Sequence, residues 1–141
     1  MPNLNQHKRL LILLCAVTAA SGCATMEPVT VAEPGVAFSL AIGKTAAING
    51  SGTKITFKRV PEDSRCPTDV VCVWEGDAKI EVTISRAGSS DETAILSLHA
   101  PNSEKASGNL LIRFVGLTPV PRHADGDGPR AYVAQLVVNR T

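Results

Sequence analysis

The sequence predicts an all-β fold, an antiparallel β-sandwich, on three observations. Short runs alternate apolar and polar residues with a period of two, the pattern of strands buried on one face. Glycine, proline, asparagine and serine separate these runs at short intervals, as turns require. From residue 24 onward no window carries apolar residues at helical spacing over the length of a helix.

The elements follow in order. Val36, Phe38, Leu40 and Ile42 alternate in a first strand, which Gly43 and Lys44 break. A brief run through Ile48 makes a second, and "NGSG" at 49–52 supplies the glycines of a tight turn. Ile55 and Phe57 alternate with Lys54, Thr56 and Lys58 in a third. Ala78, Ile80, Val82 and Ile84 alternate with Lys79, Glu81, Thr83 and Ser85, the cleanest two-faced strand of the chain. "AGSSDE" at 87–92 reads as a hairpin loop leading into a strand over Thr93–His99, which Pro101 stops. Leu110, Ile112 and Phe114 share one face of a strand reaching Val115. The prolines and glycines of "PVPRHADGDGPR", 119–130, exclude a central strand or a helix and leave a surface loop. The last strand, Tyr132–Val138, is apolar on both faces and so belongs in mid-sheet. About seven strands in roughly a hundred residues suit an immunoglobulin-like sandwich, with a small β-barrel as the alternative.

Ahead of this domain the composition changes. His7, Lys8 and Arg9 form a basic head, and Leu10 to Ala20 is an apolar run of 11 residues, the length of an export signal's core. A bilayer span needs ~18 or more, so the segment reads as a leader and not an anchor. Ala20, Ser21 and Gly22 then lead into Cys23. This run resembles the lipobox of bacterial lipoproteins, with Ala20 where that family usually has leucine. The resemblance implies cleavage before Cys23 and a diacylglycerol on its thiol. Cys15 is the competing acceptor, but Leu14 before it is too bulky for the usual cleavage pocket. Ala24, in place of an aspartate, implies sorting to the outer membrane with the protein facing the periplasm. The expected organisation is therefore a signal peptide at 1–22, a lipidated N-terminus and flexible tether at 23–35, and one domain at 36–141. Extended, the twelve residues 24–35 span at most ~40 Å, enough to hold the domain clear of the head groups.

After cleavage the chain has twelve basic and thirteen acidic residues, a net charge of −1 with no charge run. That balance excludes nucleic acid as a partner, because phosphate contacts need a clustered basic surface. Of the four cysteines, Cys15 leaves with the leader and Cys23 carries lipid. Cys66 and Cys72 remain, in an oxidising compartment where paired thiols persist as a disulfide.

These two cysteines lie in "EDSRCPTDVVCVWEG", 62–76, which also contains the only tryptophan of the chain. Pro67 sets φ and extends Cys66. Asp63 and Ser64 are suited to accept hydrogen bonds from loop amides. Arg65 has Glu62, Asp63 and Asp69 as possible partners. Trp74, large and apolar with a single donor, is expected to cover the disulfide as it enters the core. Glu62 to Pro67 followed by Cys72, Trp74 and Gly76 resembles the signature "EDSRCP....C.W.G" of a family of small bacterial envelope proteins and lipoproteins. The likeness runs over roughly 36–140, is distinctive only in this loop, and implies an envelope location without implying an activity. Glu75 departs from the small residue that the family often has there, and it adds charge beside Trp74.

Sharper chemistries find little support. A redox thiol needs a low pKa, usually at a helix start in C-x-x-C, and Asp69 and Glu75 oppose it here. His99 and His123 are isolated zinc candidates, and Asp125 with Asp127 lacks the remaining ligands of a calcium loop. No G-x-S-x-G and no cofactor motif appears. The expectation is a non-enzymatic module without metal or cofactor, held to the membrane through Cys23, with Asp63, Arg65, Trp74 and Glu75 as its candidate binding loop. The 61–77 and 119–130 loops would meet a periplasmic protein or glycan. The alternative is a structural or accessory envelope component whose loops only close the sandwich. Outward Trp74 and Arg65 would favour recognition, and inward ones structure. Oligomeric state is not legible.

Overall fold

The computed structural model describes residues 28–99, 101–126 and 128–141. The expected signal peptide and Cys23 lie outside the described residues, as does Asp127, which with Asp125 falls short of a calcium loop.

Among the described residues nine strands form two sheets that do not close into a barrel, so the sandwich holds and its barrel alternative does not. The first sheet joins β1 (Thr30–Ala32), β3 (Thr45–Ile48), β4 (Thr53–Asp63), β5 (Ala78–Arg86) and β6 (Glu92–Ser97), in the order β1-β3-β4-β5-β6. The second joins β2 (Ala37–Ala41), β9 (Val133–Arg140), β8 (Leu110–Thr118) and β7 (Glu104–Ser107), in the order β2-β9-β8-β7. All pairs are antiparallel except β1 with β3. The two-faced strand is β5, whose Ala78, Ile80, Val82 and Ile84 are all buried. As its double-sided apolar pattern requires, β9 lies inside its sheet, between β2 and β8.

The two inner faces share one core. Phe57 on β4 and Phe114 on β8 are its largest side chains, and each is essentially inaccessible to water. Burial of this kind contributes about 2–3 kcal/mol per phenylalanine. On β8 a register shift between Phe114 and Gly116 lets Val115 face solvent and returns Leu117 to the core. That bulge carries the strand beyond Val115 to Thr118, further than alternation alone indicates.

Three boundaries differ from the sequence reading. Thr30–Ala32, assigned to the tether, form β1, and Ala32 is buried. The folded unit therefore begins by residue 30, not at 36. The short strand β7 replaces an expected connection, because "EKAS" has too little apolar content to show a period. Lastly, β4 continues through Pro61 to Asp63, so the cysteine loop begins later than residue 61. Pro61 is tolerated there because β3 pairs with β4 only as far as Thr56, and two register shifts lie between Phe57 and Glu62. Both features leave a strand position that needs no N–H donor.

The ends of the sandwich are unlike. At one, β4 and β8 finish while β5 and β9 begin, and both long loops gather there. Because β1 runs parallel to β3 and therefore antiparallel to β4, the chain also enters the fold from that end. Short turns such as 49–52 and 87–91 close the other. Among the described residues no helix is long and apolar enough to cross a membrane.

Candidate functional site

The cysteine loop rises from a narrow neck that continues the β4–β5 ladder. Ser64 N–H donates to Asp77 O at 2.8 Å, and Cys66 N–H donates to Glu75 O at 3.1 Å. Ser64 Oγ accepts from Asp77 N–H at 3.2 Å. Asp77 Oδ1 in turn accepts from the N–H groups of Ala78 and Leu98, at 2.8 and 3.1 Å, and so joins the neck to the end of β6. Gly76 makes this crossing possible. Its φ is +72°, and a Cβ there would lie 1.9 Å from Ser64 O. No other residue fits without parting the two strands.

At the base, a buried ion pair faces the second sheet. Arg65 grips Asp63 with two bonds, Nε to Oδ1 at 2.7 Å and Nη2 to Oδ2 at 2.9 Å. Their side chains are only 9% and 5% exposed. The guanidinium also donates to Leu117 O and, at 2.9 Å, to Pro119 O, while Tyr132 Oη donates to Asp63 Oδ2 at 2.9 Å. Burial pushes the Asp63 carboxyl pKa up, but the hydrogen bonds from Arg65 and Tyr132 and the Arg65 charge outweigh it and hold the pKa below the usual value. Desolvated pairs of this kind persist when each buried polar atom finds a partner, as each nitrogen of Arg65 and each carboxylate oxygen of Asp63 does here.

The two long loops are docked together. Thr68 N–H donates to Pro121 O at 3.0 Å. Asp69 accepts from His123 and Ala124 N–H, at 2.6 and 3.0 Å, at the start of the single-turn 3-10 helix His123–Asp125. Those amides, Ala124 foremost, draw the Asp69 pKa down. Cys66 and Cys72 are disulfide-bonded, with Cα atoms 5.9 Å apart, and close a small ring.

Beyond this base the loop presents an apolar tip. Val71, Val73 and Trp74 are 101%, 90% and 82% exposed, and Val70 is partly exposed at 41%. The expectation that Trp74 covers the disulfide and enters the core is thus overturned. The neck leaves the sheet before position 74, so no core volume lies within the tryptophan's reach. Glu75 is exposed beside it.

Of the four candidate binding residues, therefore, Asp63 and Arg65 turn inward while Trp74 and Glu75 turn outward. Sequence reasoning missed Tyr132 and Asp77, the partners that lock the base. A lone tyrosine at the head of the last strand and an aspartate just before β5 were the available signals. A cleft of 260 Å³ lies beside the pair, lined by Asp63, Arg65, Pro67, Arg122, His123 and Arg130 among others. Its Asp63, Arg65 and Arg130 side chains are already bonded, with Arg130 donating to Gly126 O at 2.7 Å. His99 Nδ1 lies 3.3 Å from Asp77 Oδ1, remote from His123 in sequence, and among the described residues no three His, Cys, Asp or Glu side chains are grouped to hold a metal ion.

Comparison with protein-family models, with curated proteins and with solved structures finds no match to this chain.

Proposed function

We propose that this chain is a lipoprotein of the bacterial envelope, held in the outer membrane through Cys23 with its domain on the periplasmic side, and that it acts as a non-enzymatic contact module. One observation carries the second half of this reading. A disulfide-closed loop, braced by a buried ion pair and a neighbouring loop, holds three valines and the only tryptophan of the chain in solvent. Isolated exposed apolar residues are common, but a cluster of four on one rigid protrusion marks an interaction site. Tryptophan is also the side chain most enriched where proteins bind. Because the loop is already ordered, little conformational entropy is lost on contact. The inward Arg65 favours a structural role for the base alone, so the contact surface is narrower than the four residues marked out in the sequence.

Two measurements test the reading. Mass spectrometry of the protein isolated from its native envelope should find an acylated Cys23 as the first residue, and Cys23→Ser should release the protein from the membrane fraction. A photo-crosslinking side chain placed at position 73 in living cells should form adducts that the same side chain at Ser89, on the opposite end of the sandwich, does not. Equal labelling from both positions would remove the contact role.

A further inference from the structure

The direction in which the chain enters the fold, and the short length left before β1, identify what the apolar tip meets. Thr30 on β1 lies opposite Ala46, Ala46 opposite Ile55, and Ile55 opposite Ile84. From that level, the nine residues from Ile84 back to Glu75 rise toward the loop end, ~30 Å at the rise of a strand. Trp74 and Val73 lie further out. The chain preceding Thr30 leaves toward the same end, and only seven residue-to-residue steps, across six intervening residues, lead from Thr30 back to Cys23. Fully extended they reach ~25 Å. A cysteine held at a bilayer surface by that tether cannot keep the loop clear of the surface while the sandwich stands on it. The folding of residues 30–35 removes the slack that a tether ending at 35 would have had.

We infer that the tip of the cysteine loop, Val70, Val71, Val73 and Trp74, enters the head-group region of the bilayer that holds Cys23. The inference rests on the lipid-anchor reading above. Its chemistry fits an interface rather than a hydrocarbon core. Tryptophan sits at head-group level, with an apolar ring and one N–H donor. Glu75, exposed next to it, limits the depth. Asp69 is no obstacle, because its carboxylate is turned away onto the His123 and Ala124 amides. Arg122, exposed in the loop docked alongside, supplies a cation for lipid phosphate. The surface is a protrusion and not a groove, which suits a fluid partner more than a folded one.

Trp74 is the sole tryptophan, so intrinsic fluorescence reports on this position alone. The protein extracted from its envelope is reconstituted into vesicles of phosphatidylethanolamine with a minor share of phosphatidylglycerol, with and without bromine on the acyl chains near the head group. We expect the emission to shift to the blue and to fall by about half or more in brominated vesicles, as for an interfacial indole. Val71→Asp with Val73→Asp, both at fully solvated positions, should abolish the quenching while the far-ultraviolet spectrum stays unchanged. A Trp74 that aqueous iodide still quenches and bromolipid does not would overturn the inference and leave the tip to a protein partner. The mass of residue 23 is read on the same sample. Quenching without an acyl adduct would keep insertion and remove the anchor, whereas an adduct without quenching would keep the anchor and remove insertion.

Discussion

The base and the tip of the cysteine loop are separated by fewer than ten residues, yet they solve opposite problems. In the base, Asp63, Arg65, Gly76 and Asp77 direct almost every polar atom to a partner elsewhere in the fold, and the ion pair is removed from water. In the tip, Val71, Val73 and Trp74 touch almost nothing. A domain of this size has apolar surface to bury and a core that takes two phenylalanines completely, so leaving its tryptophan outside is not forced by lack of an interior. The comparison teaches that the loop is a bracket: its charged residues hold it rigid, and its apolar residues are what it holds out.

Substitutions should separate the two parts. The largest effect is expected at the neck. Gly76→Ala requires the strands at Ser64 and Gly76 to part and should lower stability by about 3–4 kcal/mol, read from the urea midpoint. A smaller loss would mean that the neck can widen without cost. Next, Arg65→Ala strands the Asp63 carboxylate and two backbone carbonyls in a desolvated site, and we expect a loss of about 3 kcal/mol. An effect under about 1 kcal/mol would class the pair with ordinary surface bridges and weaken the contrast with the tip.

Replacing Cys66 and Cys72 together with serine opens a small ring and should cost about 2 kcal/mol in non-reducing conditions. The sandwich should remain folded, because the bridge is local. Acid should act on the base as well. The Asp63 pKa is lower in the folded chain than in the unfolded one, so its contribution is complete above the unfolded carboxylate range and fades as pH falls through the folded value. The urea midpoint should therefore drop below about pH 4, and Asp63→Asn should flatten that part of the profile. A variant as acid-sensitive as the parent would shift the effect to other carboxylates. Trp74→Ala closes the series. It should change stability by less than about 0.5 kcal/mol, since an exposed side chain leaves no cavity. A loss above about 2 kcal/mol would show that the tip packs in solution.

Much of the fold was legible because a strand buried on one face writes its period directly into the sequence. The burial of Ala78, Ile80, Val82 and Ile84 follows from their spacing alone. β1 and β7 were not legible, being three and four residues long, too short for a period to register. In the candidate site, the pairing of Cys66 with Cys72 could be read locally, whereas Gly76 stood only as one position of a motif and its part in the neck came from the structure. The side-chain directions could not be read locally either. Arg65 was open to three acidic partners, and Asp63 was selected by Leu117 and Pro119, more than fifty residues away.

By itself, the sequence determined an all-β sandwich and a small cystine ring between its third and fourth expected strands. Both follow from properties that neighbours along the chain carry: alternation with period two, turn residues, and two thiols a few residues apart. Only the tertiary structure decided that the ion pair is buried, that the tryptophan faces solvent, and that the chain enters beside the loop and not opposite it. Those outcomes depend on how β1 registers against β3 and on where β8 and β9 end, and no local pattern encodes the relative position of strands so far apart in the chain.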